Sequence, residues 1–182
     1  MKFSQSIILI GSMGAGKTTV GKKLAQKLHR DFIDCDAELE RQTGVDIATI
    51  FDIEGEEGFR KRESAQLEKL LQRREIVLAT GGGVVLAEEN RQRMTRNGII
   101  IYLKTTVEQQ LQRLQMDKKR PLLSVPDRQQ VLTDLFTQRD PIYQALADIT
   151  VYTDRRHSAE MASTVLRVIN QYLDESGLEH RE

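Results

Sequence analysis

The run Gly11-Ser12-Met13-Gly14-Ala15-Gly16-Lys17-Thr18 is the part of this sequence whose residue types and spacing point most directly to chemistry. Gly-x4-Gly-Lys-Thr, set after an apolar strand and before a helix, makes a loop whose successive backbone N–H groups turn inward on phosphate oxygens. The helix that follows adds the positive end of its dipole. Lys17 would reach the β- and γ-phosphates and neutralise charge in transfer, Thr18 would offer its hydroxyl to Mg²⁺, and Thr19 would add a hydroxyl to the α-phosphate. The plainer alternative, glycines that only close a strand-to-helix turn, needs the full pattern and both flanks to arise by chance. The sequence therefore predicts an ATP site built from Gly14, Ala15, Gly16, Lys17, Thr18 and Thr19.

Such a loop does not decide the acceptor, because kinases, GTPases and motor ATPases all use it. No Asn-Lys-x-Asp or Thr-Lys-x-Asp run is present to read guanine, and no Asp-x-x-Gly follows the third strand, which disfavours a switch GTPase. Asp34-Cys35-Asp36 closes the second predicted strand at the carboxyl edge, where open α/β sheets bind ligands. Strand alternation would send both carboxylates to one face, one to hold metal directly or through water and the other to take a proton from a hydroxyl. A solvated strand end or a helix N-cap is the ordinary alternative. After the third strand, Gly81-Gly82-Gly83 implies that backbone must approach something closely. Arg60 opens a helix with a planar fork that suits a carboxylate.

These residues need an alternating strand and helix scaffold, and the pattern supplies one. Apolar, β-branched runs at 6–10, 32–34, 76–79, 99–103 and 149–152 read as five strands of a parallel sheet. Helices are predicted at 17–29, 36–43, 58–71, 107–116, 128–147 and 158–173, with Pro141 starting a new turn or kinking the fifth. Residues 117–127 hold two of the three prolines and three successive cations, so they read as a mobile loop. The fold class is α/β, and 182 residues fit one domain with a core of its own. Lys+Arg and Asp+Glu are both 27, which favours neither nucleic acid nor an anionic membrane as partner. The longest apolar runs fall far short of the roughly 20 residues that span a bilayer. The single cysteine, Cys35, forms no internal disulfide and reads as an inert buried thiol, and the three histidines lack zinc-ligand spacing, so a cytoplasmic protein is expected.

Taken in order, Gly11 to Thr19, Asp34-x-Asp36, Phe51-Asp52-x-Glu54-Gly55-Glu56-x-x-Phe59-Arg60, Gly81-Gly82-Gly83, Arg120-Pro121-Leu122-Leu123 and Arg139 resemble the motifs of the shikimate kinase family across nearly the whole chain. The resemblance implies a three-layer P-loop kinase fold with a five-stranded parallel sheet and a mobile lid at about residues 112–128. It implies transfer of the γ-phosphoryl of ATP to the 3-hydroxyl of shikimate, one Mg²⁺ per subunit, and a monomer. By the same resemblance Lys17, Asp36 and Arg120 are the catalytic residues. Asp36 is the base and binds the substrate hydroxyls, and Arg60, Gly82 and Arg139 hold the acceptor. Thr18 holds Mg²⁺ with Asp34 acting through water. Arg120 and Arg156 contact ATP, with Arg155 as the alternative to Arg156. Two rival readings stay open at this stage: a kinase for another polyol acid or a nucleoside monophosphate, and a nucleotide-binding module without transfer activity.

Overall fold

The computed structural model describes residues 3–115, 126–153 and 157–177. Five strands, β1 (Ser6–Ile10), β2 (Asp31–Asp34), β3 (Ile76–Ala79), β4 (Gly98–Lys104) and β5 (Ile149–Tyr152), form one sheet in the order β2-β3-β1-β4-β5. Every pairing is parallel; Ile8 of β1 sits opposite Leu78 of β3 on one side and Ile100 of β4 on the other. The central strand is wholly buried, as its unbroken Ile-Ile-Leu-Ile run requires of a strand covered on both faces.

Alternation along β1 divides the core into two layers. Ile7 and Leu9 pack with Val20 and Leu24 of α1 (Lys17–Leu28) and with Val165, Ile169 and Leu173 of α7 (Ser158–Ser176). Ile8 and Ile10 face the opposite layer, where they meet Leu67 and Leu70 of α3 (Ile47–Leu70), Met94 of α4 (Glu88–Asn97) and Tyr143 of α6 (Arg128–Leu146). Two smaller clusters lie outside the sheet. Leu39 of α2 (Cys35–Thr43), Ile50 and Phe59 knit the α2–α3 corner, while Leu114 of α5 (Val107–Leu114), Leu132 and Met13 join α5 and α6 to the glycine loop.

The five predicted strands are all present, within one residue of their expected ends. Three helical features depart from the pattern. The α3 segment begins at Ile47 rather than 58 and is interrupted at Gly55 (φ 69°, ψ −177°), so the stretch before Gly55 is a separate, short helical arm that was not expected. Helix α4 was not expected, because its sequence Glu-Glu-Asn-Arg-Gln-Arg-Met-Thr-Arg-Asn has no apolar stripe; it buries only Asn90 and Met94, four residues apart. Asn90 Nδ2 donates to Ser64 Oγ at 2.9 Å and to the Val84 carbonyl at 3.1 Å, so a polar anchor replaces apolar periodicity. Pro141 lies inside α6, which is helical from Arg128 to Leu146 with no new start.

Candidate active site

The carboxyl ends of β1, β2 and β3 meet beside the strand-order reversal around β1, and the sequence-predicted residues collect there. Gly11, Gly14 and Gly16 all have positive φ, at 140°, 75° and 90°, conformations that side chains resist. A Cβ at Gly11 would lie 2.6 Å from the Leu103 carbonyl oxygen. Gly16 caps α1, no side chain occupies the cap, and the first turn carries no acid, so the helix N-terminus is free to favour an anion. Ala15 is buried and its N–H donates to the Ser12 carbonyl at 3.2 Å, which closes the loop. Lys17 Nζ lies across the loop, donating to the carbonyls of Gly11 at 2.7 Å and Ser12 at 2.9 Å. Thr18 and Thr19 are exposed at the mouth.

Asp34 and Asp36 are not alternate residues of one strand, as expected above. β2 ends at Asp34, Cys35 opens α2, and Asp34 is the N-cap, accepting from the N–H groups of Asp36 at 3.1 Å and Ala37 at 3.2 Å through Oδ1. Its other oxygen accepts from Thr18 Oγ1 at 2.7 Å. Of the roles weighed from the sequence the helix cap is the one seen, and the same carboxylate also accepts from the Thr18 hydroxyl. The pair Thr18 and Asp34 is an all-oxygen donor set at the mouth of the phosphate loop, which fits a hard cation that keeps most of its waters and its phosphate ligands. Cys35 is buried, and burial, reinforced by Asp36, Asp34 and Glu63, pushes its thiol well up, as befits an inert group.

The three glycines after β3 form a floor over which charged groups converge. A Cβ at Gly81 would fall 2.2 Å from Glu63 Oε1 and 3.1 Å from Asp36 Oδ1. At Gly83 it would fall 2.3 Å from the Arg60 guanidinium, and at Gly82 it would lie 3.6 Å from the Gly11 carbonyl and 3.7 Å from an Arg139 nitrogen. Asp36, Arg60, Gly82 and Arg139 therefore share one cradle beside the phosphate loop, as the sequence predicts.

Glu63 is the cradle member that sequence reasoning missed. It is 3% exposed and bonded to Arg60 through Oε2 at 2.6 Å, while Oε1 has no hydrogen-bond partner. Burial raises its carboxyl above the ordinary value against the pull of Arg60. Burial also works against the charge on Arg60, but Glu63 and Glu56 outweigh it and keep the guanidinium firmly protonated. Arg139 is 5% exposed and its Nε is unpartnered. A buried acceptor and a buried donor without partners are groups that a polar ligand could satisfy. In the sequence, Glu63 sits in the run Arg-Lys-Arg-Glu, where it reads as a solvated helix charge; only its spacing of three from Arg60 hints otherwise.

Arg113 of α5, also absent from the sequence reading, donates to the Gly14 carbonyl at 2.9 Å and reaches Thr153 Oγ1 at 3.4 Å, tying α5 to the phosphate loop and the end of β5. Arg120, Arg155 and Arg156, and residues 116–125 of the expected lid, lie outside the described residues. No described helix is long and apolar enough to cross a membrane.

A parallel α/β sheet, a phosphate loop capped by a bare helix N-terminus, and a separate charged cradle one strand away define a P-loop small-molecule kinase. The model of the shikimate kinase family matches residues 13–170. The sequence is 53% identical over 171 residues to a shikimate kinase of Pasteurella multocida (strain Pm70), covering 93% of this chain and 98% of that one. It is 49% identical over 173 residues to one from Vibrio cholerae serotype O1, covering 95% and 99%. A solved shikimate kinase from Acinetobacter baumannii in complex with shikimate superposes with a TM-score of 0.90 at 47% identity, covering 92% of this chain and 93% of that one. The chain belongs to the shikimate kinase family.

Proposed function

We propose that this protein transfers the γ-phosphoryl group of ATP to the 3-hydroxyl of shikimate, giving shikimate 3-phosphate and ADP. The observation that carries the reading is the cradle itself, in which two arginines and two carboxylates converge on a glycine floor within reach of the phosphate loop. Family membership supplies the acceptor, and the cradle matches its chemistry: one carboxylate for Arg60 and Arg139 to grip, and hydroxyls for Asp36 to orient.

In this reading the glycine-loop N–H groups and the α1 terminus hold the ATP phosphates. Lys17, whose ammonium now bonds the Gly11 and Ser12 carbonyls, turns to the γ-phosphate as charge spreads over it. Arg60 and Arg139 fix the acceptor carboxylate, with the Gly82 backbone beneath it, and so aim the opposite side of the ring at the γ-phosphate. Asp36 accepts the proton from the attacking hydroxyl as the oxygen–phosphorus bond forms and ADP departs. Thr18 and Asp34 would hold Mg²⁺, which when bound neutralises charge on the β- and γ-oxygens. Arg120 and Arg156 are assigned to ATP by family motif alone. We read the whole chain, 1–182, as one domain with a lid at about 112–128. The buried lone cysteine and balanced charge support a cytoplasmic monomer that needs ATP and shikimate but no nucleic acid or membrane.

The assignment is tested by steady-state kinetics of Arg60→Ala and Arg139→Ala. Each removes a charged hydrogen-bonding partner worth about 1.5–3 kcal/mol, so KM for shikimate should rise roughly 10- to 150-fold while KM for ATP stays within about threefold. Equal losses for both substrates would refute the assigned roles.

A further inference from the structure

Gly55 turns the chain sharply between the arm that ends at Glu54 and the body of α3, and one ion pair spans the turn. Arg62 Nε and Nη2 donate to the two oxygens of Glu54 at 2.7 and 2.5 Å, a bidentate fork between residues eight apart. Eight residues of straight helix would set them about 12 Å apart, so the fold-back at Gly55 is what brings them together. Gly58 lies halfway between them and keeps the path open: a Cβ there would fall 2.4 Å from the Glu54 Cβ. The arm is tied at its other end too, where the Ile47 N–H donates to Glu40 Oε1 of α2 at 3.0 Å. Between the two ties Ile50 and Phe51 pack with Leu39 and Phe59, the Phe51 and Phe59 rings 4.6 Å apart. Arg60 is held by what this turn places. Its Nε and Nη2 donate to Glu56, the residue after Gly55, at 3.3 and 3.0 Å, and its guanidinium carbon lies 5.1 Å from the centre of the Phe59 ring.

We infer that Glu54 and Arg62 are positioning residues for the acceptor carboxylate: their ion pair fixes the turn at Gly55, the turn fixes Glu56 and the Phe51–Phe59 contact, and these hold the Arg60 guanidinium over Gly83. The role rests on shikimate being the acceptor. Neither residue touches substrate; both act through Arg60. A surface ion pair without such a role contributes to stability alone. Lys61 and Glu57, 2.8 Å apart on the same helix and wholly beyond Gly55, form a pair of that kind.

The test is calorimetric titration of shikimate, and separately of ADP, into the wild-type protein, Glu54→Gln, Arg62→Gln, the double variant and Lys61→Gln, with thermal unfolding of each. Glu54→Gln and Arg62→Gln should each weaken shikimate binding about two- to fivefold, the range open to a partly exposed pair, and leave ADP binding within about 1.5-fold. In the double variant the two losses should not multiply, because both break one contact. Lys61→Gln, which breaks the pair outside the turn, should bind shikimate as the wild type does. Wild-type shikimate affinity in Glu54→Gln or Arg62→Gln, losses that multiply in the double variant, or an equal loss in Lys61→Gln would overturn the role. So would an equal loss of ADP affinity, the mark of general destabilisation. If Glu54→Gln does not fold, unchanged shikimate affinity in Arg62→Gln overturns it alone. A wild-type protein that binds ADP but not shikimate overturns the acceptor reading and this role with it.

Discussion

Lys17 spans the mouth of the phosphate loop on the carbonyls of Gly11 and Ser12. In the proposed mechanism its worth lies in the transition state, where its charge meets the transferring phosphoryl group. Lys17→Ala should lower kcat by roughly 100- to 1000-fold, the cost of losing one preorganised charge stabiliser, and rapid-quench turnover measures it. Near-normal turnover would remove Lys17 from the mechanism. At this scale the sequence was legible wherever a residue's type and motif agreed: Lys17 and Thr18 lie at the phosphate loop, and Asp36, Arg60 and Arg139 gather around the glycine floor. Glu63 was not legible, because a helical glutamate carries no mark of burial in one sequence. Asp34 was half legible. Its position at the strand end was evident, but whether β2 ran through Asp36 or stopped at the cap depended on one residue of strand length, which sequence patterns do not resolve.

Helices α2, α3 and α6 bring their side chains together over the turn after β3, and the glycine run makes that cradle possible. Gly81→Ala would drive a methyl group to 2.2 Å from Glu63 Oε1 and 3.1 Å from Asp36 Oδ1. Either the buried Arg60–Glu63 pair or Asp36 must shift, so KM for shikimate should rise at least tenfold, since charged hydrogen bonds of this kind contribute about 1.5–3 kcal/mol. Unchanged KM would show that the floor has slack. Helix α6 is fixed by Asp140, which accepts from Tyr102 at 2.7 Å, Lys104 at 2.9 Å and Gln144 at 2.6 Å. Burial alone would raise the Asp140 carboxyl, but these hydrogen bonds outweigh it and hold it below its ordinary value of 3.8. A depressed carboxyl stabilises the fold above its unfolded value and loses that contribution as pH falls through its folded one. The gap in unfolding temperature between wild type and Asp140→Asn should therefore be full at pH 7 and shrink toward pH 3; a constant gap would contradict the clamp. The strands were readable because β-branched runs bounded by turns have few other uses. Helix α4 was hidden because Asn90 anchors it by hydrogen bonds, and the arm before Gly55 was hidden because Ile47, Thr49 and Ile50 are β-branched and the run is too short to show a helical period, while Ile47, Ile50 and Phe51 pack into a cluster of their own.

At the scale of the whole molecule, the sheet order places donor and acceptor sites one strand apart. The crossover from β1 through α1 leads to β2, and β3 then inserts between them, so the phosphate loop after β1 and the glycine floor after β3 are neighbours on adjacent strands. The Gly82 floor and Gly11 of the loop come close enough that a methyl group on Gly82 would touch the Gly11 carbonyl. That adjacency separates a phosphotransferase from a nucleotide-binding module, which needs no second cradle. The most direct test is release of ADP from Mg-ATP in the presence of shikimate, gluconate, AMP, CMP or no acceptor. The account predicts turnover stimulated by shikimate alone. Stimulation by another acceptor would overturn the substrate, and release that ignores every acceptor, or never occurs, would contradict phosphoryl transfer itself.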